Sequence, residues 1–178
     1  MRHRHEMPFG AELRPDGSTR FRLWAPACRR VELALRGGAP KPMRPLADGW
    51  FEMIAAAPPD TAYAFVLDGG QRVPDPASRW NPDDVSGPSR VVDPLAYEWN
   101  DAGWRGRPWS EAVIYELHVG AFTPQGTFAA AIDRLDYLAD LGVTAIELMP
   151  VADFPGARSW GYDGVLPFAP DANGSTPS

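Results

Sequence analysis

The pattern of apolar and polar positions changes character once along the chain. Phe21-Arg-Leu-Trp24 alternates and is closed by Pro26, and Val31-Glu-Leu-Ala-Leu35 alternates and ends at Gly37-Gly38. Alternation with a period of two sends one set of side chains to a core and the other to water, which marks a half-buried strand. Met43 to Ala47 and Trp50 to Ile54 flank Asp48-Gly49, a pair suited to the positive φ angles of a tight hairpin. Ala62-Tyr-Ala-Phe-Val-Leu67, Asp68-Gly69-Gly70 and Gln71-Arg-Val-Pro74 predict a second hairpin. Short strands at this spacing, with no helical period between them, predict an all-β, immunoglobulin-like antiparallel sandwich over about residues 8–95.

At Ala112 the period lengthens. Val113-Ile-Tyr-Glu-Leu117 reads as a strand, and Gly126-Thr127 opens a helix with Thr127 as N-cap. Phe128, Ile132, Leu135, Leu138 and Leu141 recur at spacings of three and four, which predicts one buried face. Gly142 stands where a left-handed residue ends a helix, and Val143-Thr-Ala-Ile-Glu-Leu-Met149 follows as a strand closed by Pro150. Strand, helix and strand with short joints predict a βαβ unit, parallel and right-handed. Two parallel strands and one helix leave a sheet face and both edges bare. Either more strands follow or the sandwich covers the gap, and the chain is expected to be a fragment.

The segment from Asp75 to Arg107 is rich in proline and carries Trp80, Trp99 and Trp104, with Trp109 just beyond. Flexible linkers are rich in Gly and Ser, so this connection is expected to be pinned against its neighbours. The organisation expected is a sandwich at 1–95, a connection at 96–111 and the βαβ region at 112–178.

Composition narrows the function classes. In 178 residues, 17 Lys and Arg face 23 Asp and Glu, a formal charge of −6 that argues against nucleic-acid and anionic-membrane partners. No apolar run approaches the roughly 18 residues of a membrane span. The amino terminus lacks the apolar stretch of a signal peptide, so a cytoplasmic location is expected. Cys28 stands alone and is expected to be a buried small hydrophobe. His3 and His5 are read as part of a frayed terminus and not as a metal pair. No Gly-rich phosphate loop, zinc-ligand cluster or nucleophile elbow is present, so neither a cofactor nor a metal is expected. Of the 7 tryptophans most are expected in the core. Any at the surface would suit sugar rings, whose C–H faces stack on indole.

Longer strings carry a resemblance. Glu111-Ala-Val-Ile-Tyr-Glu-Leu-His-Val-Gly-Ala-Phe-Thr-Pro124, the stretch from Gly142 to Gly156, and Trp160-Gly-Tyr-Asp-Gly-Val-Leu-Pro-Phe-Ala-Pro170 resemble the opening of the α-amylase-type (β/α)₈ glycoside hydrolases. Phe21-Arg-Leu-Trp-Ala-Pro26, Val73-Pro-Asp-Pro-Ala-Ser-Arg79 and Gly87-Pro-Ser-Arg-Val-Val-Asp-Pro94 resemble the sandwich and connection of the trehalose-releasing branch. The resemblance implies a carbohydrate-binding-module-like sandwich followed by the first βαβ unit of a truncated (β/α)₈ TIM barrel. It also implies hydrolysis of the α-1,4 bond beside the terminal trehalose of maltooligosyltrehalose. A carboxylate nucleophile and a carboxylic acid/base roughly 5–5.5 Å apart would carry that reaction. In such enzymes these groups stand on the fourth and fifth barrel strands, with a third acid near the seventh. Only 67 residues (178 − 111) follow Glu111, where a full barrel takes about 250. No catalytic residue is therefore assigned, and the chain alone is expected to be inactive.

The resemblance implies a Tyr-Gly-Thr-Pro-like continuation after Pro170-Asp-Ala172, where Asn173-Gly-Ser-Thr-Pro-Ser178 stands instead. A truncated or frameshifted gene, or an incomplete sequence, would each account for that.

The resemblance makes Tyr162 the leading substrate-binding candidate, as the tyrosine that stacks on the sugar beside the cleaved bond, with Trp160 and Asp163 flanking it. The expected ligand is maltooligosyltrehalose or a related α-glucan. Glu116 with His118, and Glu147 with Met149, share strand faces by alternation; such groups near barrel strand ends can line a catalytic pocket, and hydrogen-bonded packing of a barrel interior is the preferred reading. Asp133, Asp136 and Asp140 lie off the apolar helix stripe and are read as a solvated face. A glucan-binding module, and a related branching or debranching enzyme, are the alternative functions.

Overall fold

A computed structural model describes residues 7–157, 159 and 162–172, so His3, His5 and Trp160 lie outside the described residues. Nine strands come first: β1 (Gly10–Leu13), β2 (Thr19–Trp24), β3 (Glu32–Leu35), β4 (Lys41–Pro42), β5 (Arg44–Pro45), β6 (Trp50–Ala55), β7 (Ala62–Val66), β8 (Arg72–Val73) and β9 (Ser89–Arg90). They form two antiparallel sheets, in the orders β1-β2-β6-β5 and β4-β3-β7-β8, with β9 beside β7. Alternation decides the faces. Phe21, Leu23 and Phe51 of one sheet meet Leu33, Tyr63 and Phe65 of the other in a single buried cluster, closed by Val31, Met43 and Val91. The residues between them, Arg20, Arg22 and Glu52, stay at the outer face, where Arg20 pairs with Glu12 at 2.7 Å. Cys28 is half-buried at the margin of this core, less enclosed than expected.

Both hairpins stand where the sequence places them. Asp48 and Gly49 have φ of 58° and 79°, and Trp50 N–H donates back to Ala47 O. The second turn, Asp68–Gly70, is clasped from outside. Asp68 accepts the Arg29 and Arg30 N–H groups at 2.7 and 2.9 Å, which hold its carboxyl below the usual carboxylate range.

The connection splits in behaviour. Its first half is pinned as expected: Asp75, Ser78, Asn81 and Ser89 are buried, and their side chains absorb backbone groups that no ladder reaches. Ser78 Oγ donates to Asn81 Oδ1, and Arg90 N–H donates to Trp80 O at 2.9 Å. The second half departs from the expectation, for Tyr97, Trp99, Trp104 and Trp109 are all exposed. With Trp24 also exposed and Trp50 and Trp80 half-buried, no described tryptophan is core. Composition counts large apolar side chains, but alternation places Trp24 and Trp50 on the outward set of their strands.

Beyond residue 112 the chain forms β10 (Ile114–Leu117), α1 (Val119–Phe122), α2 (Phe128–Ile132), α3 (Leu135–Asp140), β11 (Ala145–Leu148), β12 (Ala152–Asp153) and β13 (Leu166–Pro170). The strands β10 and β11 are parallel, in register from Ile114↔Ala145 to Leu117↔Leu148. Thr127 caps α2 by accepting Ala130 N–H at 3.2 Å. Gly142, at φ 95°, ends α3 with Gly142 N–H on Ala139 O and Val143 N–H on Leu138 O.

The single predicted helix is in fact two. Arg134 N–H bonds Ala131 O, a tighter i→i−3 link, and Arg134 takes φ −104°, ψ 0° before the helix resumes. The predicted buried face is a second correction. Leu138 is buried and Phe128 half-buried, but Ile132, Leu135 and Leu141 are exposed. Periodicity records which side of a helix is apolar, not how much of that side a neighbouring element covers. Asp133, Asp136 and Asp140 are exposed, in line with a solvated face. Among the described residues no helix is long and apolar enough to cross a membrane.

Candidate functional site

The loop that carries Tyr162 is held at its neck. β12 and β13 are antiparallel, and Val165 N–H donates to Asp153 O at 2.8 Å, which ties the two strands together at the neck. Gly164 is required there, because a Cβ would stand 2.7 Å from Ala152 Cβ. Two contacts tie this region to the earlier part of the chain. Gly156 N–H donates to Asp84 Oδ2 at 3.0 Å, and the Phe168 ring lies 5.9 Å from that of Phe9. Asp84 itself sits at φ 71°, in the left-handed region that Asp tolerates better than most residues.

Tyr162 is 73% exposed, so its ring face is open to a ligand. Asp163 is exposed and accepts Ser159 Oγ at 3.1 Å, which orients its carboxylate along the same loop. Asp153, at the neck, is buried, and its Oδ2 has no hydrogen-bond partner among the described residues. Burial pushes its carboxyl up to about 6; the nearby Asp171 and Asp84 charges add to the rise, and Phe154 N–H opposes it. The hydrophobic pattern marks neither Asp84 nor Asp153. The Asp83-Asp84 pair in a proline-rich stretch was the only signal for the first, and an isolated aspartate after a strand gave none for the second.

Glu116 and His118 line an open groove of about 390 Å³ with Tyr115, Leu117, Ala121 and Phe122. The expected hydrogen-bonded packing is absent here: Glu116, His118 and Glu147 are all exposed, and Met149 is half-buried. The reason is geometric, since a two-stranded sheet encloses no interior. Register sets Glu116 directly beside Glu147, which places two acidic side chains next to each other. No group of three His, Cys, Asp or Glu side chains among the described residues could hold a metal.

Known proteins are similar to this chain. A Malto-oligosyltrehalose trehalohydrolase of Deinococcus radiodurans is 46% identical over 92% of the chain, and that of Saccharolobus solfataricus is 44% identical over 92%. The chain spans 27% and 29% of the length of these relatives. A Glycogen debranching enzyme of Dickeya chrysanthemi is 34% identical over 92% of this chain and 33% of its own. In three dimensions, the crystal structure of a candidate alpha amylase from Salmonella typhimurium matches with a TM-score of 0.92 at 52% identity, over 97% of this chain and 30% of that one. The sequence profile of carbohydrate-binding module 48, the isoamylase N-terminal domain, matches residues 8–96, which is the stretch folded as the two-sheet sandwich. The chain therefore belongs to the carbohydrate-binding module 48 family.

Proposed function

We propose that these residues form the N-terminal part of a cytoplasmic glycoside hydrolase that releases trehalose from maltooligosyltrehalose. The observation that carries this reading is identity of 44–49% to trehalohydrolases, running over most of the chain and so through the sandwich and the parallel unit alike. In this reading residues 1–95 are the sandwich, 96–111 the connection and 112–178 the opening of a (β/α)₈ barrel. Strands β10 and β11 are then the first two barrel strands, and the exposed apolar face of α2 and α3 lies against later elements.

Tyr162, Trp160 and Asp163 contribute to the sugar subsite from the loop after β11. An aromatic on a βα loop at the C-terminal face of a barrel meets substrate directly. The nucleophile and the acid/base belong to later strands, so the 178 residues alone hydrolyse nothing. A glucan-binding role of the sandwich is compatible with this reading and is favoured by the family match at residues 8–96.

A chimera tests the proposal. Residues 8–172 would replace the corresponding region of the Deinococcus radiodurans enzyme, and trehalose release would be assayed. Activity within about tenfold of the parent is expected. A folded chimera that binds maltooligosaccharide but releases no trehalose would overturn the reading.

A further inference from the structure

A series of hydrogen bonds runs from the buried start of the connection to the segment that carries Tyr162. Ser78 N–H donates to Asp75 O at 2.9 Å, and Ser78 Oγ donates to Asn81 Oδ1. Asn81 Nδ2 donates to Gly87 O at 3.2 Å, and Gly87 N–H donates to Asp84 O at 2.9 Å. Asp75, Ser78 and Asn81 are all buried, so the turn that presents Asp84 is anchored from inside.

Asp84 uses both oxygens of its carboxylate. Oδ1 accepts Val85 N–H at 2.5 Å, and Oδ2 accepts Gly156 N–H at 3.0 Å across 72 residues of sequence. A carboxylate is a stronger acceptor for a backbone N–H than a neutral oxygen is. Gly156 belongs to residues 154–165, the segment between β12 and β13. Within it, Ser159 Oγ donates to Asp163 Oδ2 at 3.1 Å. That bond joins the arm held by Asp84 to the arm that carries Tyr162, while Val165 N–H on Asp153 O closes the base.

We propose that Asp84 is a positioning residue for Tyr162, a side chain of the N-terminal region that sets where the ring stands without touching the sugar. This role rests on the function proposed above, with Tyr162 as a substrate contact. The backbone at residue 84 has φ 71°, which limits what can stand there. Asparagine tolerates that angle but offers one oxygen in place of two, and glycine tolerates it and offers none.

The test has two parts, one of which needs no activity. In the 178-residue chain, Asp84→Gly should speed amide exchange of Gly156 by roughly tenfold and shift the ring NMR signals of Tyr162. Asp84→Asn should be intermediate, and Asp83→Asn, at an exposed neighbour, should change nothing. In the chimeric enzyme, Asp84→Gly should lower kcat/KM for maltooligosyltrehalose by roughly tenfold, but by less than about twofold once Tyr162→Ala is also present. A general loss of stability would act alike in both backgrounds, so equal losses would overturn the proposal. Unchanged kinetics of Asp84→Gly in an active chimera would overturn it too. If Asp84→Gly fails to fold, Asp84→Asn carries the same cycle with a smaller loss. An inactive parent chimera bears on the trehalose-releasing reading alone. In that event the chain decides: an unchanged Gly156 amide and Tyr162 ring in folded Asp84→Gly would show that Asp84 positions nothing.

Discussion

The Tyr63 hydroxyl donates to Asp75 Oδ2 at 2.8 Å, with both residues removed from water. This bond joins the centre of β7 to the start of the connection, and Asp75 also accepts Ala77 N–H at 2.8 Å. Burial pushes the Asp75 carboxyl up to about 6, against the pull of the Ala77 and Tyr63 donors. Burial first, then the Asp75 charge, raises Tyr63 well above its usual range, so it stays a neutral donor. Tyr63→Phe removes one of the donors that hold the carboxylate charged. The expected cost is about 1–3 kcal/mol at neutral pH and less at pH 4.5, where Asp75 binds a proton. Urea unfolding at both pH values checks this; an equal cost at both would show that the hydroxyl does not serve the charged form.

Asp153 makes a similar prediction at the neck of the Tyr162 loop. Its carboxyl titrates near 6 in the folded chain, above the 3.8 of a free aspartate. The folded state therefore binds its proton more tightly, so this group's stabilising contribution is full below about pH 4 and is lost as pH rises through 6. Asp153→Asn should match wild type near pH 4 and exceed it in stability at pH 7. Amide exchange of Val165, which donates to the Asp153 carbonyl, reads the effect locally. An unchanged pH slope in the variant would rule out Asp153 as its source.

Gly49 is needed twice, for its φ of 79° and for its approach to Pro26. Gly49→Ala should cost roughly 1–3 kcal/mol and free the Trp24 ring from Asp48. The indole N–H signal of Trp24 should then exchange faster with solvent. Persistent protection would show that the turn is not what fixes the ring.

How far the sequence carried the fold follows from what each signal measures. Asp48-Gly49, Thr127 and Gly142 are local devices whose geometry depends on their own backbone, and each stands where the sequence placed it. Ile132, Leu135 and Leu141 depend on what covers them, which a helical period does not contain, and all are exposed. The two-residue tightening at Asp133-Arg134 and the short helix α1 left no mark in the hydrophobic pattern. Asp84 and Asp153 escaped notice because their roles come from contacts across long sequence separation, such as Asp84 with Gly156.

Tyr162 separates function from stability. Its ring is largely in water, so Tyr162→Ala removes little buried surface and should leave the unfolding midpoint of the chain nearly unchanged. If Tyr162 stacks on the sugar as proposed, the same change in the chimeric enzyme removes a stacking face worth about 1–3 kcal/mol by apolar area. If that contact is stronger in the transition state, kcat falls; if it is uniform, KM rises. A fall in kcat/KM of roughly 10- to 100-fold is expected from a loss of that size. Gly164→Ala, which forces Ala152 to shift by acting 2.7 Å from its Cβ, should reproduce part of that loss without touching the sugar. Normal kinetics in folded Tyr162→Ala would place the subsite elsewhere. Normal kinetics in Gly164→Ala alone would show that Tyr162 reaches the sugar without help from the neck.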